Sequence, residues 1–276
     1  MYRDHARDLR EWIEFHRLVG AERFFLYNNG SVDNHREVLA PYLRDGTVVV
    51  HDWPHFPGLR LAFDHCLEHH RDDARWIAFL DIDEFLFSPT GRPVSELLTE
   101  YEDHPGVGVN RYNFGTSGHV TRPAGLVIEN FTMRAGVRRN AIKSIVDPRR
   151  TIKCLGGHTF AYRDGFAVDE LHRLLDKPPR PGAPPGRVGA LTPTFTLERF
   201  RINHYMCKSE EELRARHALP SPDTGKPRTR GLEDPVKFRE FVDTYNQFRD
   251  EVVMAYVPAL REALARVESQ DVPLTP

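Results

Sequence analysis

The chain has 276 residues, with 40% hydrophobic and 28% charged side chains, and its 38 basic and 40 acidic groups sum to −2. That length suits one large domain or two small ones, and the balanced charge excludes a global attraction to nucleic acid or to an anionic membrane. No apolar run approaches the roughly 18 residues of a membrane span, and the opening Met1-Tyr2-Arg3-Asp4-His5 lacks the apolar stretch of a secretory signal.

The first hundred residues alternate helix and strand. Asp4 can cap a helix with Leu9, Trp12, Ile13 and His16 at helical spacing, stopped by Gly20. Arg23 to Tyr27 reads as a short apolar strand running into the turn-rich Asn28-Asn29-Gly30-Ser31. A second helix puts Val38, Leu39, Tyr42 and Leu43 on one face, and the strand Thr47 to His51 follows Gly46. A third helix carries Leu59, Ala62, Phe63, Cys66 and Leu67, before the apolar run Trp76 to Leu80. Strands joined by helical crossovers imply a mostly parallel sheet with helices on both faces. In such α/β sheets function collects beyond the carboxyl ends of the strands, where Asn28, Asp52 and Asp81 fall. The first element is a helix where a doubly wound domain opens with a strand, so the expectation is an N-terminal strand missing through a late start at an internal methionine.

From Gly106 to Tyr162 short strands are expected at Gly106 to Arg111, Leu126 to Met133, Ala141 to Val146 and Thr151 to Cys154. Asp176 to Thr194 is rich in proline and glycine and reads as a surface excursion. A strand is expected at Arg199 to Asn203, a capping box at Ser209 and Glu212, and a basic loop from Pro220 to Gly231. The stripe Phe238, Phe241, Val242, Tyr245 and Phe248 marks a helix whose apolar face meets the core. Three widely spaced cysteines, Cys66, Cys154 and Cys207, indicate neither a disulfide framework nor structural zinc, and a reducing, cytoplasmic setting is expected.

Asp81 and Asp83 are the candidate chemical centre. Residues i and i+2 of an extended chain share a side, so the two carboxylates converge past an apolar strand while Ile82 turns inward. Two hard carboxylates side by side call for a divalent cation such as Mn2+ or Mg2+. Such an ion stabilises a departing diphosphate. An isolated Asp-x-Asp more often ends a strand and caps a turn; the strand context favours the functional reading here.

Three segments in order carry a family resemblance: Arg10-Glu11-Trp12-Ile13-Glu14-Phe15-His16, Phe25-Leu26-Tyr27-Asn28-Asn29-Gly30-Ser31-Val32-Asp33-Asn34, and Trp76-Ile77-Ala78-Phe79-Leu80-Asp81-Ile82-Asp83-Glu84-Phe85. With Lys143-Ser144-Ile145, Pro148, Asn203-His204-Tyr205 and Lys208-Ser209, the chain resembles glycosyltransferase family 92 and its bacterial family-2-like relatives from Tyr2 to Tyr256. The resemblance implies a GT-A, Rossmann-like fold, a nucleotide-sugar donor and inversion at the sugar carbon. It implies that Asp81 and Asp83 hold the metal, and that Asn28, Asn29 and Asp33, with Asp52, cradle the nucleoside. It divides the chain into one domain, 1–256, with a nucleotide-binding half at 1–105 and an acceptor-side half at 106–256, followed by a C-terminal helix and tail at 257–276. Asn28 stands where family members often have aspartate.

The supporting residues are less specific. A third metal ligand suits histidine, and His204 and His158 are the rivals. Lys143 reads equally as a phosphate-binding charge or an exposed strand-end lysine. Lys226, Arg228 and Arg230 read as a solvated loop or as a lid, and Asn113 to His119 as an acceptor-side loop or a sheet-edge turn. Asp169, Glu170, Asp164 and Glu84 are all eligible catalytic bases, with Asp169 preferred. The expected reaction transfers a hexose, UDP-linked by default, to a glycan or other hydroxyl acceptor. Its rivals are a nucleotide-sugar binder without turnover and a phosphatase with Asp81 as nucleophile, for which no second acidic pair ends an apolar strand.

Overall fold

The computed structural model describes residues 1–138, 140–175, 190–228 and 231–270. The proline-rich stretch lies mostly outside them, as does Arg230.

Before the first helix, Tyr2 makes a one-residue parallel bridge to Asn28. Helix α1 (Ala6–Leu18) then buries Leu9, Trp12, Ile13 and His16, the stripe its spacing announces, and Phe15 besides. Strand β1 (Phe24–Asn28), α2 (His35–Arg44), β2 (Val48–Asp52) and α3 (Leu59–His69) follow. The two strands pair in parallel, with Asn28 opposite Asp52. Next come β3 (Ile77–Ala78), β4 (Glu84–Phe87) and the short α4 (Val94–Leu97). The second half contributes β5 (Gly106–Asn113), α5 (Val127–Asn130), β6 (Met133–Arg134), β7 (Ile142–Val146) and the hairpin of β8 (Thr151–Gly156) with β9 (Thr159–Tyr162). Strand β10 (Arg201–His204), α6 (Glu210–Ala218), α7 (Pro235–Tyr245), β11 (Phe248–Arg249) and α8 (Val257–Gln270) complete the described chain.

The fold is mixed α/β, and its main sheet is not mostly parallel. Five strands lie in the order β3-β7-β5-β10-β4, and only the β5–β10 pair is parallel. Between β5 and β7 the described chain forms the four-residue α5 and the short β6, and β7 returns antiparallel to β5. Parallel β1 and β2 form a separate pair. A cavity of about 460 Å3 is lined from both sheets, by Phe24, Leu26, Ile77 and Phe79 among others.

Two local expectations are corrected. The segment Leu126 to Met133 forms α5 and then β6, because the Glu11 carboxylate accepts the N–H groups of Val127 and Ile128 at 2.8 and 3.1 Å. That satisfies donors which a helix start leaves open. Phe248 leaves the helical stripe for β11 and is 53% exposed, whereas Phe238, Val242 and Tyr245 are buried as expected. The Ser209–Glu212 capping box forms and starts α6. None of the three cysteines forms a disulfide, and among the described residues no helix is long and apolar enough to cross a membrane.

Candidate active site

The acidic pair sits in a turn rather than on an extended strand. The Glu84 N–H donates to the Asp81 carbonyl at 3.0 Å, and the Asp81 N–H donates to Glu84 Oε2 at 3.0 Å. Ile82, within the turn, is buried in the core. Strand β10 then inserts between β4 and β5, placing His204 opposite Glu84 on one side and Asn113 on the other. Tyr205 N–H donates to the Asp83 carbonyl at 2.8 Å and locks the turn to that strand.

Cations surround the carboxylates. Lys143 Nζ on β7 lies 2.9 Å from Asp81 Oδ2 and 3.2 Å from Glu84 Oε2. Arg111 on β5 donates to Glu84 Oε1 at 2.6 Å, and Arg216 on α6 donates to Asp83 Oδ2. Burial alone would raise the pKa of both aspartates, but Lys143 beside Asp81 and Arg216 beside Asp83 hold them well below the usual carboxylate range. Burial would likewise lower Lys143, and Asp81 and Glu84 outweigh it, so the lysine titrates above its ordinary value. Lys143 is thus neither exposed nor at a strand end; it is a buried counter-ion, 2% exposed.

The two histidine rivals separate. His204 Nδ1 is 2.9 Å from Asn113 Oδ1. Its Nε2 faces Asp83 Oδ1 at 3.6 Å, both atoms buried and too far apart for a direct hydrogen bond. A carboxylate oxygen and an imidazole nitrogen facing across such a gap are atoms that a divalent cation could join. His158 stands on the other side of the cluster, where burial and the charges of Lys143 and Arg111 push its pKa down to about 4. A ring facing cations is the poorer metal ligand. Among the described residues no three His, Cys, Asp or Glu side chains converge as a ready-made cage. A cation could draw on Asp83, His204 and Asp81, with its remaining ligands from substrate or water.

A second locus lies at the ends of β1 and β2. Asn28 Nδ2 donates to Asp52 Oδ1 at 3.0 Å, and Asn29 Nδ2 donates to the carbonyls of Trp53 and His55 at 2.7 and 2.9 Å. Asp52 is also held by Arg36 at 2.6 Å. A pocket of about 250 Å3 opens here, lined by Arg3, Asn29, Gly30, Pro54 and Phe56. Asp33 belongs to the scaffold instead: its carboxylate accepts the Ala6 N–H at 2.7 Å and fixes the start of α1.

Each of the carboxylates eligible as catalytic base already has partners. Asp169 is fully buried in its own turn, accepting N–H groups from Leu171 and Arg173 and pairing with the Arg173 guanidinium. It adjoins Val168, which bridges Val107, six residues and about 20 Å along β5 from Asn113. Glu170 accepts three N–H groups from Glu198, Arg199 and Phe200, Asp164 pairs with Arg150 on the surface, and Glu84 is saturated. Of the Asn113 to His119 segment, Asn113 reaches the site, through His204. The loop with Lys226 and Arg228 is tied down where the Gly58 and Leu59 N–H groups reach the Pro222 carbonyl. Sequence reasoning missed Arg111 and Arg216. The capping box before α6 foretold its helix; nothing in the spacing foretold its target.

Residues 1–176 match the model of Glycosyltransferase family 92, and the chain belongs to that family. It is 36% identical over 152 residues to a glycosyltransferase family 92 protein of Oryza sativa subsp. japonica, covering 54% of this chain and 26% of the relative. A Ricinus communis member is 28% identical over 257 residues, covering 87% of this chain and 43% of the relative. A galactan beta-1,4-galactosyltransferase of Arabidopsis thaliana is 32% identical over 106 residues, covering 35% and 20%. The chain spans less than half the length of these curated relatives.

Proposed function

We propose that this chain transfers a hexose from a nucleoside-diphosphate sugar, UDP-linked by default, to a glycan or other hydroxyl acceptor, with inversion and on a GT-A type fold. The observation that carries the reading is the buried carboxylate–imidazole pair, Asp83 Oδ1 and His204 Nε2, facing at 3.6 Å beside Asp81. With Asp81 they would hold Mn2+ or Mg2+, which when bound supplies Lewis-acid neutralisation of the departing diphosphate. Lys143 and Arg111 fix Asp81 and Glu84 from behind, so the carboxylates are oriented before the donor arrives. The pocket beside Asn29 takes the nucleoside, with the half-exposed Phe56 ring as a stacking face. The galactosyl transfer named for one relative supports a hexose as the group moved.

Calorimetric titration of UDP, with GDP and CDP as controls, tests this on wild type and Asp83→Asn, each with and without manganese. UDP binding that needs manganese and disappears in Asp83→Asn is the expected result. Absence of any nucleotide binding to the folded wild type would overturn the donor site. A second reading, a nucleotide-sugar binder without turnover, is favoured by one observation: each of the four carboxylates weighed as base is committed to a structural partner. Retained UDP binding with no transfer or donor hydrolysis would identify it.

A further inference from the structure

The cations of the acidic cluster are not equivalent. Lys143 and Arg111 project from strands within the main sheet, and Lys143 is 2% exposed. Arg216 comes from the last turn of α6, outside the sheet, and its side chain is 30% exposed. Among the described residues its guanidinium bonds one acceptor, Asp83 Oδ2. It is therefore tied at one end and has a solvent side to swing toward.

The charge count gives that bond a consequence. Three carboxylates, Asp81, Asp83 and Glu84, are ion-paired with three cations, Lys143, Arg111 and Arg216, so these six groups sum to no net formal charge, with His204 and Lys208 close by. A divalent cation gains little from a neutral cluster and must compete with Arg216 for Asp83. A diphosphate changes both terms at once. Its charge attracts the cation, and its oxygens offer the guanidinium a planar, two-pronged acceptor that replaces the carboxylate.

We propose that Arg216 is a positioning residue that holds Asp83 in the cation-free site and passes to the donor diphosphate when cation and nucleotide enter, so that the two bind as one unit. The proposal rests on the donor-site reading above. It makes the coupling reciprocal: manganese strengthens UDP binding by the factor by which UDP strengthens manganese binding. No turnover is needed to observe it.

The test is manganese binding, read from the paramagnetic resonance of free Mn2+, with and without UDP, on wild type, Arg216→Ala and Arg216→Lys, with thermal melts to establish folding. Wild type is expected to bind Mn2+ weakly alone and tightly with UDP. Arg216→Ala, left with one excess negative charge, should bind Mn2+ alone at least about tenfold more tightly. Its UDP affinity in saturating manganese should fall at least about tenfold. A gain in metal binding is a change that mere structural damage would not produce. Arg216→Lys keeps the charge and loses the planar fork, so it should keep weak Mn2+ binding while losing UDP affinity severalfold. Unchanged Mn2+ affinity in a folded Arg216→Ala, with UDP binding intact in wild type, overturns the proposal. If the alanine variant does not fold, wild-type UDP affinity in Arg216→Lys overturns it. Failure of wild type to bind UDP with manganese removes the donor site itself, and this inference with it.

Discussion

Replacing Lys143 by methionine tests whether the acidic turn is held by its buried counter-ion. The side chain is 2% exposed and bonds Asp81 at 2.9 Å and Glu84 at 3.2 Å. At an effective dielectric of 20, one pair at 2.9 Å attracts by about 6 kcal/mol before desolvation. Removing one member of a buried pair costs about 3–5 kcal/mol net. Glu84 keeps Arg111 at 2.6 Å, and the Asp81 side chain is 34% exposed, so the low end applies. The expected loss is about 3 kcal/mol from a total of roughly 5–15. That should lower Tm by about 6 °C. The pH dependence identifies the cause. Lys143 depresses the folded pKa of Asp81, so the contribution is present above the ordinary carboxylate pKa and is lost as pH falls through the folded value. The gap between wild type and Lys143→Met should be full at pH 7 and narrow below about pH 4. Urea denaturation across that range, with the double variant Lys143→Met/Asp81→Asn, measures both the loss and the coupling. A loss under about 1 kcal/mol at pH 7, or no coupling, would refute the reasoning.

Burial pushes His16 down to about 4, with its Nδ1–H donating to the Trp12 carbonyl and its Nε2 accepting the Leu86 N–H. Its unfolded form takes up a proton near pH 6.5 and the folded form does not, so stability should fall by about 3 kcal/mol between pH 6.5 and 4. His16→Gln should flatten that slope in urea midpoints, and parallel profiles would count against it. Ser209→Ala removes the acceptor for the Glu212 N–H at the start of α6 and should cost about 1 kcal/mol by the same measurement. An unchanged midpoint would mean that the cap contributes nothing.

The elements with one dominant local signal were legible in the chain. The α1 stripe, the α3 stripe and the Ser209 box each depend on residues within a few positions of one another. What spacing could not carry was pairing. The five-residue run Trp76 to Leu80 reads as a full strand, yet β3 spans two residues, Ile77 and Ala78, paired with Val146 and Ile145 of β7, with one further bond from the Phe79 N–H to the Ser144 carbonyl. Leu126 to Met133 has a strand's composition and becomes helical because a carboxylate from α1 reaches its N–H groups. The same limit applies at the site. Asp81 and Asp83 announce themselves as a motif, whereas Arg111, Lys143 and Arg216 acquire their meaning from partners 27, 62 and 133 positions away. Asp169 had the right residue type, but its turn commits it to Arg173 and to local N–H groups.

That distribution makes the site dependent on the tertiary fold. His204 meets Asp83 because β10 inserts between β4 and β5, strands that precede it by about a hundred residues of chain. The Asp8–Lys208 and Asp8–Arg122 ion pairs then hold the exit of β10 against α1. A ligand that joined Asp83 to His204 would tie the acidic turn to β10, and it could do so only in the folded chain. Binding of that kind raises stability by RT ln(1 + [L]/Kd), about 2.7 kcal/mol at a hundredfold excess over Kd. Asp83 Oδ1 in that turn and His204 Nε2 on β10 are the two buried atoms that such a ligand would join.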